Sequence, residues 1–264
     1  MRILIFKKRY IISILNIFYL FMTLFYVFSF WQNSPSLALS LTHDSIVDDE
    51  LQTKISTLTK NKEKIAYLSF DDGPTLRATP RVLDILKEEN VKATFFVIGK
   101  YVKNHPDLVK RAYEEGHFIA NHGYDHSNKK LYESEKSFIN EVTSTDKEIA
   151  NALNLDDYCS HVFRFPNGFM SPNYHSKKEI AAKLLKDMGY VYVDWNCLNK
   201  DSEKKTSNSQ LLNNLKKTSK NKGTLIILMH DTNDVNDTPA VLKDSINYLK
   251  EQGYEFRNFY DFVQ

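Results

Sequence analysis

The sequence predicts an α/β protein, a distorted (β/α) barrel of about seven parallel strands preceded by one N-terminal transmembrane helix. Three observations carry that prediction. From Lys64 onward, short β-rich runs alternate with amphipathic helical stretches, as in successive βα units around a parallel sheet. Roughly 200 residues holding about seven strands suit a small barrel better than an open sheet. Ahead of all this stands a long run without a single charge, Ile11 to Trp31.

That run, IISILNIFYLFMTLFYVFSFW, is the first element of the chain. At about 1.5 Å per residue it spans a hydrocarbon core of about 30 Å, and it exceeds the apolar core of an ordinary signal peptide. Arg2, Lys7, Lys8 and Arg9 precede it, and the next basic residue is Lys54. The positive-inside rule therefore makes residues 1–10 a cytoplasmic tail, residues 11–31 an anchor, and everything beyond extracellular. Tyr26 and Trp31 suit the outer interface. The alternative is secretion after cleavage near Ala38, where "SLA" offers small residues. Residues 32–62 are polar with little periodicity and are expected to form a stalk, leaving residues 63–264 as the exported body.

Within the body, candidate strands are Ile65–Phe70, Ala93–Ile98, Phe118–Asn121, Val162–Phe165, Tyr190–Asp194 and Thr224–Met229, with a weaker one at Glu255–Arg257. Helical patterns fall between them at Pro80–Glu89, Pro106–Glu115, Glu133–Leu153, Lys177–Met188, Ser209–Lys220 and Thr238–Gln252. Gly116, Gly189 and Gly253 close three of these as C-cap signals.

Composition narrows the function classes. The formal charge of +2 is misleading, because four cations lie before residue 10; beyond it the balance is −2. Such a body has no bulk electrostatic reason to bind nucleic acid. Cys159 and Cys197 are too few for a disulfide framework; one bridge and two buried thiols both fit the sequence.

Polar clusters follow five of the strands: "DDGP", "NHGYDH", "RFPNG", "DWN" and "MHD". In parallel α/β folds the ligand site lies beyond the carboxyl ends of the strands. His122 and His126 are four apart and can aim both imidazoles at one point, a common arrangement for a hydrolytic metal site when a carboxylate joins them. Taken alone, such a pair is more often a pair of surface or capping histidines. Adjacent Asp71 and Asp72, whose bland reading is a solvated turn, gain a purpose beside those histidines: one binds the cation, and the other stays free to take a proton from water. Arg164 is either an exposed ion-pair partner or a guanidinium that orients Asp71, followed by a turn whose N–H groups can face an oxyanion. Trp195 is a core side chain or a pocket wall. His230 is a structural histidine or a proton donor held by Asp194. His43, His105, His117, His161 and His175 have no such company.

With these residues in view, the chain resembles the polysaccharide deacetylase family, carbohydrate esterase family 4, also called the NodB homology domain. The resemblance covers about Lys64 to Phe262 and rests on "SFDDGP", "HGYDH", "RFPNG", "DW" and "LMHD", which stand in the family's order. It implies a deformed barrel and a divalent metal, zinc first, with cobalt or another ion as alternatives. Carried over, Asp71 is the general base, Asp72, His122 and His126 are the metal ligands, and Arg164 tethers Asp71. Asp194 partners His230, the general acid. Pro166 and Asn167 supply the oxyanion turn, and Trp195 and Leu228 line the pocket for the acetyl methyl. Two positions depart from the pattern: Gly123 stands where the family often has Ser or Thr, and Asn167 where it often has Tyr. The implied function is removal of N-acetyl groups from N-acetylglucosamine of peptidoglycan by a membrane-anchored, monomeric enzyme. The alternatives are another acetylated glycan (chitin oligomers, xylan or poly-N-acetylglucosamine) or an inactive sugar-binding module on the same fold.

Overall fold

A computed structural model describes residues 49–232 and 235–263. The expected tail and anchor, and the expected stalk up to residue 48, lie outside the described residues. Among the described residues, no helix is long and apolar enough to cross a membrane.

The sheet is wholly parallel. Its strands are β1 (Ile65–Asp71), β2 (Thr94–Val97), β3 (Phe118–Asn121), β4 (Val162–Phe163), β5 (Val191–Tyr192), β6 (Cys197–Leu198), β7 (Leu225–His230) and β8 (Glu255–Arg257). Seven of them run in the order β5-β4-β3-β2-β1-β7-β6, and β8 pairs with the first half of β1. Every residue of β1 is buried, so both faces of this central strand need apolar side chains. Ala66, Leu68 and Phe70 face outward under a helical layer that includes α2 (Thr79–Glu88) and α9 (Pro239–Glu251). Ile65 and Tyr67 face inward, where they join Phe96, Phe118, Val162, Val191 and Ile226 in a second cluster. Side chains from strands along the whole sheet meet in that inner cluster because the sheet curls into a half-barrel.

Helices cross back between strands, as right-handed parallel connections require. After β2 come α3 (Gly99–Asn104) and α4 (Pro106–Glu114); after β3, α5 (Asn128–Leu131) and α6 (Glu135–Leu153). Then follow α7 (His175–Asp187), α8 (Asn208–Ser219), α9 (Pro239–Glu251) and α10 (Tyr260–Val263). Pro106 and Pro239 stand at helix starts, where a missing N–H costs nothing. Ser134 and Ser207 cap α6 and α8 by accepting from Ser137 N and Gln210 N.

One correction concerns the stalk. Asp49–Leu58 is a helix, α1, and it packs against the body. The edge strands β5 and β6 are joined by only four residues yet do not pair, which leaves the half-barrel open along that side. The Gln52 side chain serves β5 there as another strand would: Nε2 donates to Tyr192 O at 3.1 Å, and Oε1 accepts from Tyr192 N at 2.9 Å. Ile55 is buried in the inner cluster, with Leu51 and Leu58 packed against it. At the other end of the chain, Phe259 and Phe262 enter the same cluster. The two cysteines are free thiols, both buried.

A fragment beginning at Lys64 therefore exposes the inner core. It is expected to be less stable than one beginning at Asp49 by roughly 2–5 kcal/mol, the scale of burying Ile55 and parts of Leu51 and Leu58. Urea denaturation of the two fragments measures this; equal midpoints with equal slopes would show that α1 contributes nothing.

Candidate active site

The polar residues flagged in the sequence converge at the carboxyl ends of β1, β3, β4 and β7. Asp71 is the last residue of β1, and Asp72 follows with φ 72°. Successive side chains of a strand point to opposite faces. The left-handed conformation at Asp72 breaks that alternation and brings both carboxylates to the same side, at a backbone cost that Asp tolerates better than most residues.

His122 follows β3 directly, and its Nδ1–H donates to Arg164 O at 2.7 Å, which turns Nε2 toward the carboxylates. His122 Nε2 lies 3.4 Å from Asp72 Oδ1 and 3.7 Å from Asp71 Oδ2. His126 Nε2 lies 3.2 Å from the same Asp72 oxygen. Helix α6 holds the loop between the two histidines. Glu141 Oε2 accepts from Tyr124 N at 2.7 Å and Asp125 N at 3.1 Å, while Asn121 Oδ1 accepts from Gly123 N at 2.9 Å. Gly123 has φ 80°, which explains the first departure from the family pattern: the loop turns where a side chain would be strained.

Asp72 Oδ1 is buried without a hydrogen-bond partner, between two imidazole nitrogens. A cation satisfies such an orphan. The three ligand atoms of Asp72, His122 and His126 lie within 4.8 Å of one another, and one carboxylate with two imidazoles suits a divalent ion with positions left for small oxygen ligands. Burial alone would raise the pKa of Asp72. The surrounding imidazoles of His122, His126 and His230 outweigh it and hold the carboxyl below the usual carboxylate range.

Arg164 follows β4 and is fully buried. Its Nη1 donates to Asp71 Oδ1 at 2.8 Å and Ser69 Oγ at 2.7 Å, its Nε donates to Val193 O at 3.1 Å, and its guanidinium stacks 3.9 Å over Phe96. The predicted tether of Asp71 is thus a buried ion pair. The next turn places Asn167 at φ 64°, exposed, so the second departure also has a backbone reason: Asn accepts the left-handed region more readily than Tyr. Leu228 is level with Ser69 on the neighbouring strand, two residues before His230, and shares its face.

The expected partner of His230 is corrected. Asp194 does not hold it; the Asp194 carboxylate accepts instead from Phe169 N at 2.8 Å and Met170 N at 3.1 Å. The partner is Asp201, four per cent exposed, whose Oδ1 accepts from His230 Nδ1 at 2.7 Å. Its Oδ2 accepts from His230 N at 2.8 Å and Thr238 Oγ1 at 2.5 Å. Burial opposes the charged imidazole, but the Asp201 carboxylate overrides it and raises the His230 pKa to about 9. His230 Nε2 then faces Asp72 Oδ2 at 3.9 Å. Asp201 sits three residues beyond β6, at a strand end like the rest. A polar residue after a β-run is the signal that marks such a site, but Cys197–Leu198 is too short to read as a run.

A proton donor with a raised pKa works below that value and is lost as pH rises through it. Asp201→Asn is therefore expected to shift the alkaline limb of activity to lower pH and to reduce turnover near neutrality by about 10²-fold. A pH–rate profile measures both; an unshifted limb would remove Asp201 from this role.

Comparison with known proteins agrees with the geometry. The family model described as polysaccharide deacetylase matches residues 59–193, which leaves Trp195, Asp201 and His230 beyond the match. The peptidoglycan-N-acetylglucosamine deacetylase PgdA of Listeria monocytogenes is 34% identical over 197 residues, 75% of this chain, which spans 38% of that protein's length. The peptidoglycan-N-acetylmuramic acid deacetylase PdaA of Bacillus subtilis is 32% identical over 213 residues, covering 78% of this chain and 74% of its own. The solved structure of a Streptococcus mutans CE4 esterase superposes with a TM-score of 0.71 at 29% identity, over 78% of this chain and 90% of that one. From its motifs, its sheet and these relatives alike, the chain belongs to the polysaccharide deacetylase family, carbohydrate esterase family 4.

Proposed function

We propose that this chain is a metal-dependent hydrolase that removes N-acetyl groups from N-acetylglucosamine residues of cell-wall peptidoglycan, with zinc as the preferred ion. The observation that carries the reading is the orphaned Asp72 oxygen between two imidazoles, with a second carboxylate tethered beside it by Arg164. The names of the relatives support the glycan. The uncharged run at residues 11–31 supports a body tethered outside the cell membrane, where that glycan lies.

Asp72, His122 and His126 would hold the cation, which when bound polarises the acetyl carbonyl and acidifies the attacking water. The remaining chemistry belongs to the chain. Arg164 occupies Asp71 Oδ1, so Asp71 Oδ2 is the oxygen that turns toward the ligands and takes the proton of the water. The water oxygen bonds to the acetyl carbon, and negative charge grows on the carbonyl oxygen, where the Asn167 backbone N–H stabilises it. Trp195 and Leu228 wall the methyl group. His230, oriented through Nδ1 by Asp201, donates from Nε2 to the sugar nitrogen as the C–N bond breaks. Acetate and a free amine leave.

Full-length chain in detergent, incubated with peptidoglycan and separately with chitin oligomers, is expected to release acetate from peptidoglycan and leave free glucosamine amines. Chelator abolishes the release, and zinc restores it. Free muramic acid amines would move the substrate to the sugar named for PdaA, and release from chitin alone would move it out of the wall. Metal bound without release from any acetylated glycan would overturn the enzyme reading in favour of a binding module.

A further inference from the structure

Two charges that the mechanism above does not use hold the turn after Pro166. Gly168 N donates to Phe165 O at 2.8 Å, with Pro166 second and Asn167 third at φ 64°, the pattern of a type II turn. On one side the Asp194 carboxylate takes the N–H groups of Phe169 and Met170. On the other, Lys178 Nζ donates to Gly168 O at 2.6 Å and Ser171 O at 3.4 Å. Lys178 lies in the first turn of α7 and is 1% exposed. Its hydrogen bonds go to carbonyls, with the Asp194 carboxylate acting on it only through space, so burying the ammonium is costly, and an apolar side chain would pack there without that cost. What the cation adds is a fixed position for Gly168.

Gly168 in turn sets a wall of the site. A Cβ there would lie 2.9 Å from the Trp195 ring, so backbone and indole are in contact. The turn therefore fixes two things together: the Asn167 N–H, one residue away, and the position of the indole. We propose that Lys178 and Asp194 are positioning residues for deacetylation, opposite charges that grip the carbonyl and N–H faces of residues 168–171 and so aim the Asn167 N–H and seat Trp195. The inference rests on the deacetylase reading above. A displacement of about 1 Å at an oxyanion donor lowers turnover by up to about 10²-fold without changing how the ground state binds.

The test uses full-length chain in detergent carrying Lys178→Met, Asp194→Asn or both, on the glycan that wild type deacetylates. Each single variant is expected to lose about 10- to 100-fold in kcat, with KM within about threefold, bound zinc unchanged and the alkaline limb set by His230 unmoved. Because both residues grip one turn, the double variant loses little more than the worse single. Asp194→Asn keeps the side-chain shape and decides the matter if Lys178→Met does not fold. Turnover within about twofold of wild type in Asp194→Asn, a loss confined to KM, or strictly additive losses would each overturn the proposal while leaving the deacetylase reading intact. A wild type that releases no acetate would overturn both.

Discussion

Two carboxylates on adjacent residues can share a pocket only if each has its own positive partner. At about 4 Å in a partly buried site, two unit charges repel by about 4 kcal/mol. Asp71 is neutralised by a guanidinium that is itself fully buried, and Asp72 faces the imidazoles of His122 and His126. The rest of the site follows from that separation. Asp72 turns into the left-handed region to face the histidines, and Asp71 is tethered through Oδ1 to Arg164. The result is one carboxylate held by a guanidinium and one turned toward the histidines.

The fold places those partners. Arg164 arrives at the end of β4, three strands away from β1 in the sheet, and reaches Asp71 because the sheet curls. Its four contacts explain why lysine is no substitute: Nε, Nη1 and the flat face each have a separate task. Removing one member of such a buried pair typically costs about 3–5 kcal/mol, so the pair is also a constraint on folding. The same curl leaves an opening between β5 and β6, and α1 with its Gln52 fills it.

Much of this was legible in the sequence, and the gaps have physical causes. β1, β3, β4 and β7 lie in apolar runs that end in a polar cluster, so the sequence alone puts Asp71, Asp72, His122, His126, Arg164 and His230 at one rim of the barrel. Asp201 was missed because β6 is two residues long and leaves no run to read. Asp194 was misassigned because adjacency to Trp195 says which loop it is on but not which way its carboxylate points; it points back to Phe169 and Met170. Helix α1 hid in a polar background. Leu51, Ile55 and Leu58 do follow helical spacing, yet three apolar residues among polar ones resemble a stalk until the open side of the barrel supplies their partners. Gly123 and Asn167, legible only as departures, are both positions where the backbone is left-handed.

The division of labour between the two aspartates is tested most directly by zinc binding and turnover measured together on Asp71→Asn and His126→Ala. Asn keeps the shape of Asp71 and an acceptor for Arg164 but cannot take a proton. Asp71→Asn is predicted to bind zinc within about threefold of wild type while turnover falls by about 10³-fold, and His126→Ala to lose both. An Asp71→Asn protein that still turns over, or one that loses its zinc, would contradict the assignment of the first carboxylate to chemistry and the second to the metal.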